Sequence, residues 1–181
     1  AMKHIVYKAY WNYEKEEEWL NSMSAQGLAL TDYCWVRYVF ENSEPGEYIY
    51  RIQFLEQRAK HPQSRKYIDF VESTGAECVA TYLHWAYFRK KAADGPFELY
   101  TDIPSMMRHY RMIRAFWIPL AVVEYAAGII NIAVGTMPPF SLVNIVLGAL
   151  VTLLGVGFTL MIANLTKKIR ALKKRQLIVE A

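Results

Sequence analysis

The sequence predicts an α+β cytoplasmic domain followed by a two-helix transmembrane hairpin. Three observations carry this reading. Two long apolar runs, Ala115–Val134 and Leu142–Leu165, lie near the end with only Gly135–Ser141 between them. Basic residues crowd the outer flanks of both runs. The stretch before them passes twice through the order β-α-β-β.

Each apolar run is about as long as a helix needs to cross a bilayer, roughly 20 residues. Arg108, Arg111 and Arg114 precede the first; Lys167, Lys168, Arg170, Lys173, Lys174 and Arg175 follow the second. The connecting loop carries no charge. By the positive-inside rule both flanks, and so both termini, are expected in the cytoplasm of a cell-membrane protein with two spans. The expected organisation is an α+β domain over 1–103, a juxtamembrane helix over 104–114, the hairpin over 115–165 and a basic tail over 166–181.

Charge is spread unevenly. Residues 1–104 hold 12 Lys and Arg against 15 Asp and Glu, a net of −3, and the other nine basic residues all flank the apolar runs. The basic balance therefore describes contact with membrane lipid rather than a nucleic-acid surface, which gathers Lys and Arg on the folded domain itself. No direct nucleic-acid binding is expected. Cys34 and Cys78 fall in strand-like stretches and read as two small buried thiols rather than a redox pair.

The first unit opens with the alternating segment His4–Tyr10, a strand pattern. Asn12 is placed to cap a helix whose first turn holds Glu14, Glu16 and Glu17. The Glu14–Glu18 run reads as a solvated helix-start face. Tyr13, Trp19, Leu20 and Met23 give the helix one apolar side, and Gly27 ends it. Extended Leu28–Glu41 and the turn Pro45–Gly46 follow. In the second unit Tyr48, Tyr50, Ile52 and Phe54 alternate, Ser64 is placed to cap a helix ending at Gly75, and Cys78–Leu83 and Trp85–Arg89 are extended. A turn at Asp94–Gly95–Pro96 leads to an expected short strand, Glu98–Thr101. The simplest assembly is a ferredoxin-like antiparallel sheet with two helices on one face.

Eleven tyrosines and four tryptophans within residues 1–103 supply the core of this small domain. Packing is the simpler account of the stripe Trp35, Tyr38, Phe40, Trp85, Tyr87 and Phe88. A helix-free sheet face must nevertheless be covered, which makes Trp35, Tyr38, Phe40, His84, Trp85 and Tyr87 the candidate face for a partner or ligand. Asp102 or Thr101 starts a third helix with Pro104 in its first turn.

Glu124 lies about ten residues into the first span, near mid-bilayer at roughly 1.5 Å per residue. Asn131, seven residues on, shares its face. A carboxyl at that depth costs about 2.5–3.5 kcal/mol on insertion scales and faces protein or water. The pair is the candidate intramembrane polar seam. Gly148, Thr152, Gly155, Gly157 and Ala163 in the second span are small enough for close helix packing, and packing within the hairpin is the expectation.

No zinc spacing, phosphate loop or nucleophile elbow occurs, and His4, His61, His84 and His109 are scattered. No catalytic residue, metal or cofactor is expected.

The run Glu17–Trp19–Leu20–Asn21, Met23–Ala25–Gly27–Leu28, Tyr38–Val39–Phe40–Glu41, Glu44–Pro45–Gly46–Glu47–Tyr48–Ile49–Tyr50–Arg51, Trp85–Ala86–Tyr87–Phe88–Arg89–Lys90 and Leu99–Tyr100–Thr101–Asp102 resembles the bacterial membrane proteins of the domain-of-unknown-function 2812 family. The resemblance spans roughly residues 4–114. It implies a regulated or regulating membrane protein encoded beside PadR-like transcriptional regulators, and it brings no catalytic residues. The leading expectation is a non-enzymatic, membrane-anchored regulatory or sensory protein whose domain binds a protein partner or small ligand. Two alternatives are an oligomeric pore or transporter-like assembly using Glu124, and a ligand-binding or enzymatic dimeric α+β barrel.

Overall fold

A computed structural model describes residues 3–179. The chain divides into two compact units after Thr101. The first is the α+β domain, with elements in the order β1 (Lys3–Tyr7), α1 (Tyr13–Ala25), β2 (Leu28–Cys34), β3 (Arg37–Asn42), β4 (Tyr48–Phe54), α2 (Pro62–Ser73), β5 (Glu77–Tyr82) and β6 (Trp85–Lys91). The strands form two antiparallel three-stranded sheets, β1-β3-β2 and β4-β6-β5. Each sheet is one β-α-β-β unit.

The duplication is visible in backbone geometry. β2 breaks register between Leu30 and Asp32, and β5 breaks it between Cys78 and Ala80. The hairpin residues Trp35 and Leu83 both take a left-handed φ, 56° and 52°. The glycines ending the two helices, Gly27 and Gly75, do likewise at 80° and 90°. Positions 27 and 75, and 35 and 83, keep a constant separation of 48 residues. Both units therefore place a bulge, a helix stop and a tight hairpin at equivalent points.

Local chemistry explains most element ends. Asn12 Oδ1 accepts from Glu14 N at 2.9 Å and starts α1. Gly27 stops it, and a Cβ there would sit 3.0 Å from the Ser43 carbonyl oxygen in a conformation that L side chains avoid. The cap of α2 is His61 rather than Ser64: His61 Nδ1 accepts from Gln63 N at 3.3 Å and Pro62 fills the first helical position. Ser64 lies inside the helix, buried, and donates to the Gln57 carbonyl at 2.8 Å. The expected strand Glu98–Thr101 does not form. That segment is held by side chains: Phe97 is buried in the core, Glu98 pairs with Arg51 at 2.6 Å, and the Tyr100 hydroxyl donates to Gln53 Oε1.

Two cores result. Leu20 from α1, Leu30, Tyr38 and Phe40 from the first sheet, and Tyr50, Ile52 and Tyr87 from the second form one. Ile68 and Val71 from α2 pack on Ala86 and Phe88 in the other. Alternation along β6 sends Tyr87 to one core and Phe88 to the other, so the two helices serve opposite faces of the second sheet. The sheets are joined at β2. The Tyr50 hydroxyl accepts from Leu30 N at 2.8 Å, and Arg89 Nη1 donates to Leu30 O at 3.0 Å.

One edge of β4 pairs with β6; α1 completes the other. Glu17, Asn21 and Ser24, spaced four and three residues apart, face one way on the helix. Asn21 accepts from Tyr50 N at 2.9 Å and donates to Tyr50 O at 3.2 Å. Ser24 Oγ does the same with Tyr48, at 3.2 and 2.7 Å, and Glu17 Oε2 accepts from Ile52 N at 2.9 Å. Polar side chains thus satisfy an edge that would otherwise be open to another strand. Asn21→Leu strands Tyr50 N, while Tyr50 O keeps its 2.9 Å bond from Arg51 Nη1. It is expected to cost about 2 kcal/mol, from roughly 1–3 kcal/mol per unpaired buried group. Urea denaturation of wild type and variant measures this directly.

The second unit is the helical hairpin, α3 (Ile103–Thr136) and α4 (Leu142–Val179). Asp102 caps α3 through a 2.7 Å bond from Ser105 N, with Pro104 in the first turn. Both helices are long and apolar enough to cross a membrane. Each also continues past its apolar run. The expected juxtamembrane helix is the first three turns of α3, and the basic tail continues α4 as far as Val179. Ile113, Leu165 and Ile169 are buried in this extension. Arg114 donates to Thr166 Oγ1 at 3.4 Å, and Lys168 Nζ lies 5.5 Å from the Tyr110 ring centre.

The hairpin seam is built from small residues seven apart. A Cβ added at Gly128 would lie 2.2 Å from Thr152 Oγ1 and 3.1 Å from Gly148 O; one at Gly148 would lie 2.8 Å from Gly128 O. Gly135 meets Ile145 N and Ser141 O at 2.9 Å, and Gly155 meets Glu124 Cβ at 3.4 Å. Ala121, Gly128 and Gly135 on α3 therefore oppose Gly148, Thr152 and Gly155 on α4. A seven-residue repeat keeps such a seam facing its partner along a left-handed crossing. Gly157 has nothing within 4 Å and Ala163 is exposed, so neither belongs to the seam.

Candidate functional site

The expected face of aromatic residues is split between core and surface. Tyr38, Phe40 and Tyr87 are fully buried, because the face that bears them is covered by α1 and the second sheet. They cannot present a surface where they lie. His84 and Trp85 are half-buried and structural. His84 Nδ1 is 3.1 Å from Leu55 O and its ring stacks on Phe54 at 5.3 Å, while Trp85 packs on Tyr13 and Phe54. Of the six residues only Trp35 is exposed.

Trp35 belongs to a different feature. Tyr7 and Cys34 are both paired with Arg37, which puts the end of β1 beside the β2–β3 turn. Leu83 occupies the equivalent β5–β6 turn, and the rings of Tyr33 and Tyr82, 5.9 Å apart, bring the two turns together. Trp11 sits just ahead of the α1 cap, and its neighbour Tyr13 is 5.5 Å from Trp85. Four large apolar side chains thus lie toward one end of the domain, with Tyr7 71%, Trp35 67%, Trp11 60% and Leu83 51% exposed. Glu98 beside Arg51 and Tyr100 beside Gln53 show the chain running along β4 toward this same end. Bulky residues seldom adopt left-handed φ, which costs about 1–2 kcal/mol outside glycine. Trp35 and Leu83 hold it, exposed, at the first position of two-residue hairpin turns, where such turns favour glycine.

Beneath this rim lies a buried acid. Glu16, only 7% exposed, is read as solvated from sequence but is enclosed. Its Oε1 accepts from the Tyr38 hydroxyl at 2.6 Å and from the Tyr87 hydroxyl at 2.8 Å. Tyr33 completes the cluster, with its ring centre 4.6 Å from Tyr38 and 4.5 Å from Tyr87. Burial raises the carboxyl above its ordinary range, and the two phenol bonds pull it partly back. Burial and the nearby carboxylate push the Tyr38 and Tyr87 phenols up, so they remain donors. One residue from α1 and one from each sheet share a single oxygen, which ties the two repeats together. Burial also raises Glu17, against its bond from Ile52 N and the charge of Arg51.

The cysteines differ from expectation. Cys34 is exposed beside Trp35, and Cys78 is half-buried. Burial, with Glu72 adding, pushes the Cys78 thiol up to about 12. Among the described residues no group of three or more His, Cys, Asp or Glu is placed to hold a metal ion.

In the hairpin Glu124 and Asn131 are both half-buried on α3. Asn131 Nδ2 donates to Ala127 O of its own helix at 2.8 Å. Among the described residues none hydrogen-bonds or ion-pairs with the Glu124 carboxyl. Of the flanking basic residues, Arg108, Arg111, Lys167, Arg170, Lys173, Lys174 and Arg175 are exposed, while Arg114 and Lys168 are half-buried against the opposite helix.

The family model described as Protein of unknown function (DUF2812) matches residues 12–122, covering α1 through the first part of α3. The chain belongs to this family. The match runs from the α+β domain into the start of the first long apolar helix. No curated protein and no solved structure matches the chain.

Proposed function

We propose that this DUF2812 protein is a non-enzymatic, membrane-anchored regulatory or sensory protein whose domain binds a protein partner through the Tyr7, Trp11, Trp35 and Leu83 rim. The observation that carries this is the placement of four exposed apolar side chains, two of them in left-handed backbone, toward one end of the domain. Exposed apolar clusters of this kind mark interaction sites, and backbone strain is retained where function uses it. A partner seated there bears on the segment Glu98–Thr101, just ahead of the Asp102 cap. From Ile103 a single helix runs to Thr136, which offers a mechanical link between the domain and the first span. A transcriptional regulator of PadR type, held at the membrane, is the partner class implied by the family resemblance.

Trp35→Gly separates binding from folding. Glycine relieves about 1–2 kcal/mol of left-handed strain and gives back roughly 0.5–1 kcal/mol in chain entropy. The domain is expected to be as stable as wild type or up to about 1.5 kcal/mol more stable in urea, while losing its partner.

The same reading places both basic flanks, and the domain, in the cytoplasm. Cys34 is the native reporter. In intact cells a membrane-impermeant maleimide is expected to leave it unlabelled, and in inverted vesicles to label it fully; Cys78 stays slow in both. Labelling of Cys34 in intact cells reverses the topology.

A further inference from the structure

We propose that α3 also docks a second copy of this chain, with Glu124 and Asn131 each meeting its own counterpart across a two-fold axis running along the helix. The inference rests on the reading that α3 and α4 cross a bilayer.

The polar side chains around Glu124 are satisfied within the hairpin. Thr152 donates to Gly148 O at 2.8 Å, and Thr159 donates to Gly155 O at 3.0 Å and meets the Tyr125 hydroxyl at 3.0 Å. Asn131 uses one amide hydrogen on Ala127 O and Thr136 donates to Ala133 O at 2.9 Å. Each of these groups is turned back on its own hairpin, and the Glu124 carboxyl receives none of them. Its stem lies against Gly155, and the residue is half-buried. A carboxyl so deep in an apolar run needs protein or water beside it.

The sequence supplies a face to go with it. Leu120, Glu124, Ala127, Asn131 and Val134 are spaced four, three, four and three residues apart, the a/d pattern of a left-handed helix pair. All five are exposed or half-exposed. The adjacent stripe Ala121, Gly128 and Gly135 is the one buried against α4. The hairpin therefore buries one seven-residue stripe of α3 and leaves the next only half-covered. Small Ala127, between the two polar positions, lets a neighbouring backbone approach closely.

The occupant follows from symmetry. Copies inserted with the same topology present α3 in parallel, and a two-fold interface sets each residue against itself. A carboxamide is both donor and acceptor, so Asn131 is self-complementary in that arrangement, which also sets the Glu124 carboxyl beside a polar side chain at its own depth. An unrelated helix would have to supply matching groups at the same seven-residue spacing.

The test uses the full chain with Cys34→Ser and Cys78→Ser, reconstituted in phosphatidylcholine vesicles at low protein-to-lipid ratio. Single cysteines are introduced as Ala127→Cys on the proposed face, and as Ala126→Cys and Ile129→Cys off it. Copper–phenanthroline oxidation is expected to give a disulfide dimer from position 127 and little from the other two. Glu124→Leu is expected to weaken the dimer about 3- to 30-fold, the range for one interhelical hydrogen bond, while Glu124→Gln retains it. Monomeric particles by single-molecule photobleaching, equal crosslinking at all three positions, or an unchanged dimer in Glu124→Leu overturns the proposal. So does a 127 adduct in native membranes that contains a different membrane protein and no second copy. Release of the chain by alkaline carbonate is a separate result, which removes the membrane-spanning reading itself.

Discussion

Gly128→Leu is expected to unseat the two hairpin helices, destabilising them by about 3 kcal/mol or more, at the upper end of overpacking costs. A Cβ at position 128 already lies 2.2 Å from Thr152 Oγ1 and 3.3 Å from Thr152 Cβ. The Gly148 carbonyl, 3.1 Å away, is backbone and cannot rotate aside. Accommodation requires Thr152 to abandon its 2.8 Å bond to Gly148 O and the helices to separate. Gly157→Leu is the control, since a side chain there meets nothing within 4 Å. Gly128→Ala with Thr152→Ala should recover much of the loss, because the closest clash is with the threonine oxygen. Titration of the reconstituted chain with sodium dodecyl sulfate, followed by helix ellipticity, ranks the four proteins. Equal loss from Gly128→Leu and Gly157→Leu would remove the seam.

Glu16→Ala is expected to cost the domain about 2–4 kcal/mol, because it leaves two buried phenol donors without their acceptor, at roughly 1–3 kcal/mol each. Relief of the carboxylate's own desolvation offsets part of this. Glu16→Gln keeps an acceptor oxygen toward Tyr38 and Tyr87 and should lose far less. The pH dependence has a definite sign. Burial raises the folded-state carboxyl above its unfolded value of 4.5, so the native state binds more protons than the unfolded state. That contribution is fully present below 4.5 and is lost as pH rises through the raised folded value. Glu17 is raised too and acts in the same direction. Wild type should therefore gain stability relative to Glu16→Gln as the pH is lowered from neutral toward 5. Near-UV ellipticity of the tyrosine cluster against urea, at several pH values, reads both effects. A wild-type advantage that grows with pH would contradict the assignment.

Much of the fold is legible along the chain because its signals are local. Asn12 and Asp102 announce helix starts, Gly27 and Gly75 announce helix ends, and the two apolar runs announce the hairpin. What is not legible depends on contacts distant in sequence. Glu16 looks like any acid in a first helical turn until Tyr38 and Tyr87, 22 and 71 residues away, close on it. The aromatic alternation of β3 and β6 reports sidedness but not what covers each side, so Tyr38, Phe40 and Tyr87 read as a possible face when they are core. The covering of β4 by Glu17, Asn21 and Ser24 likewise hides in a helix that looks merely polar on that side. The seam was half readable. Gly148, Thr152 and Gly155 stand out as small residues, whereas Ala121, Gly128 and Gly135 gain meaning only through their matching seven-residue spacing. Trp35 and Leu83 are ordinary strand-end residues until the backbone shows both in left-handed turns.

The rim is the centre of the functional reading, and Cys34 beside it is the handle for testing it. Full-length protein in inverted membrane vesicles, labelled at Cys34 with a benzophenone maleimide and supplied with cytosol, is irradiated and its adducts identified by mass spectrometry. The account predicts one soluble protein captured in stoichiometric amount by wild type and lost in Trp35→Gly, whose domain remains folded. Adducts confined to lipid or to the chain itself, or capture unchanged by Trp35→Gly, would contradict it.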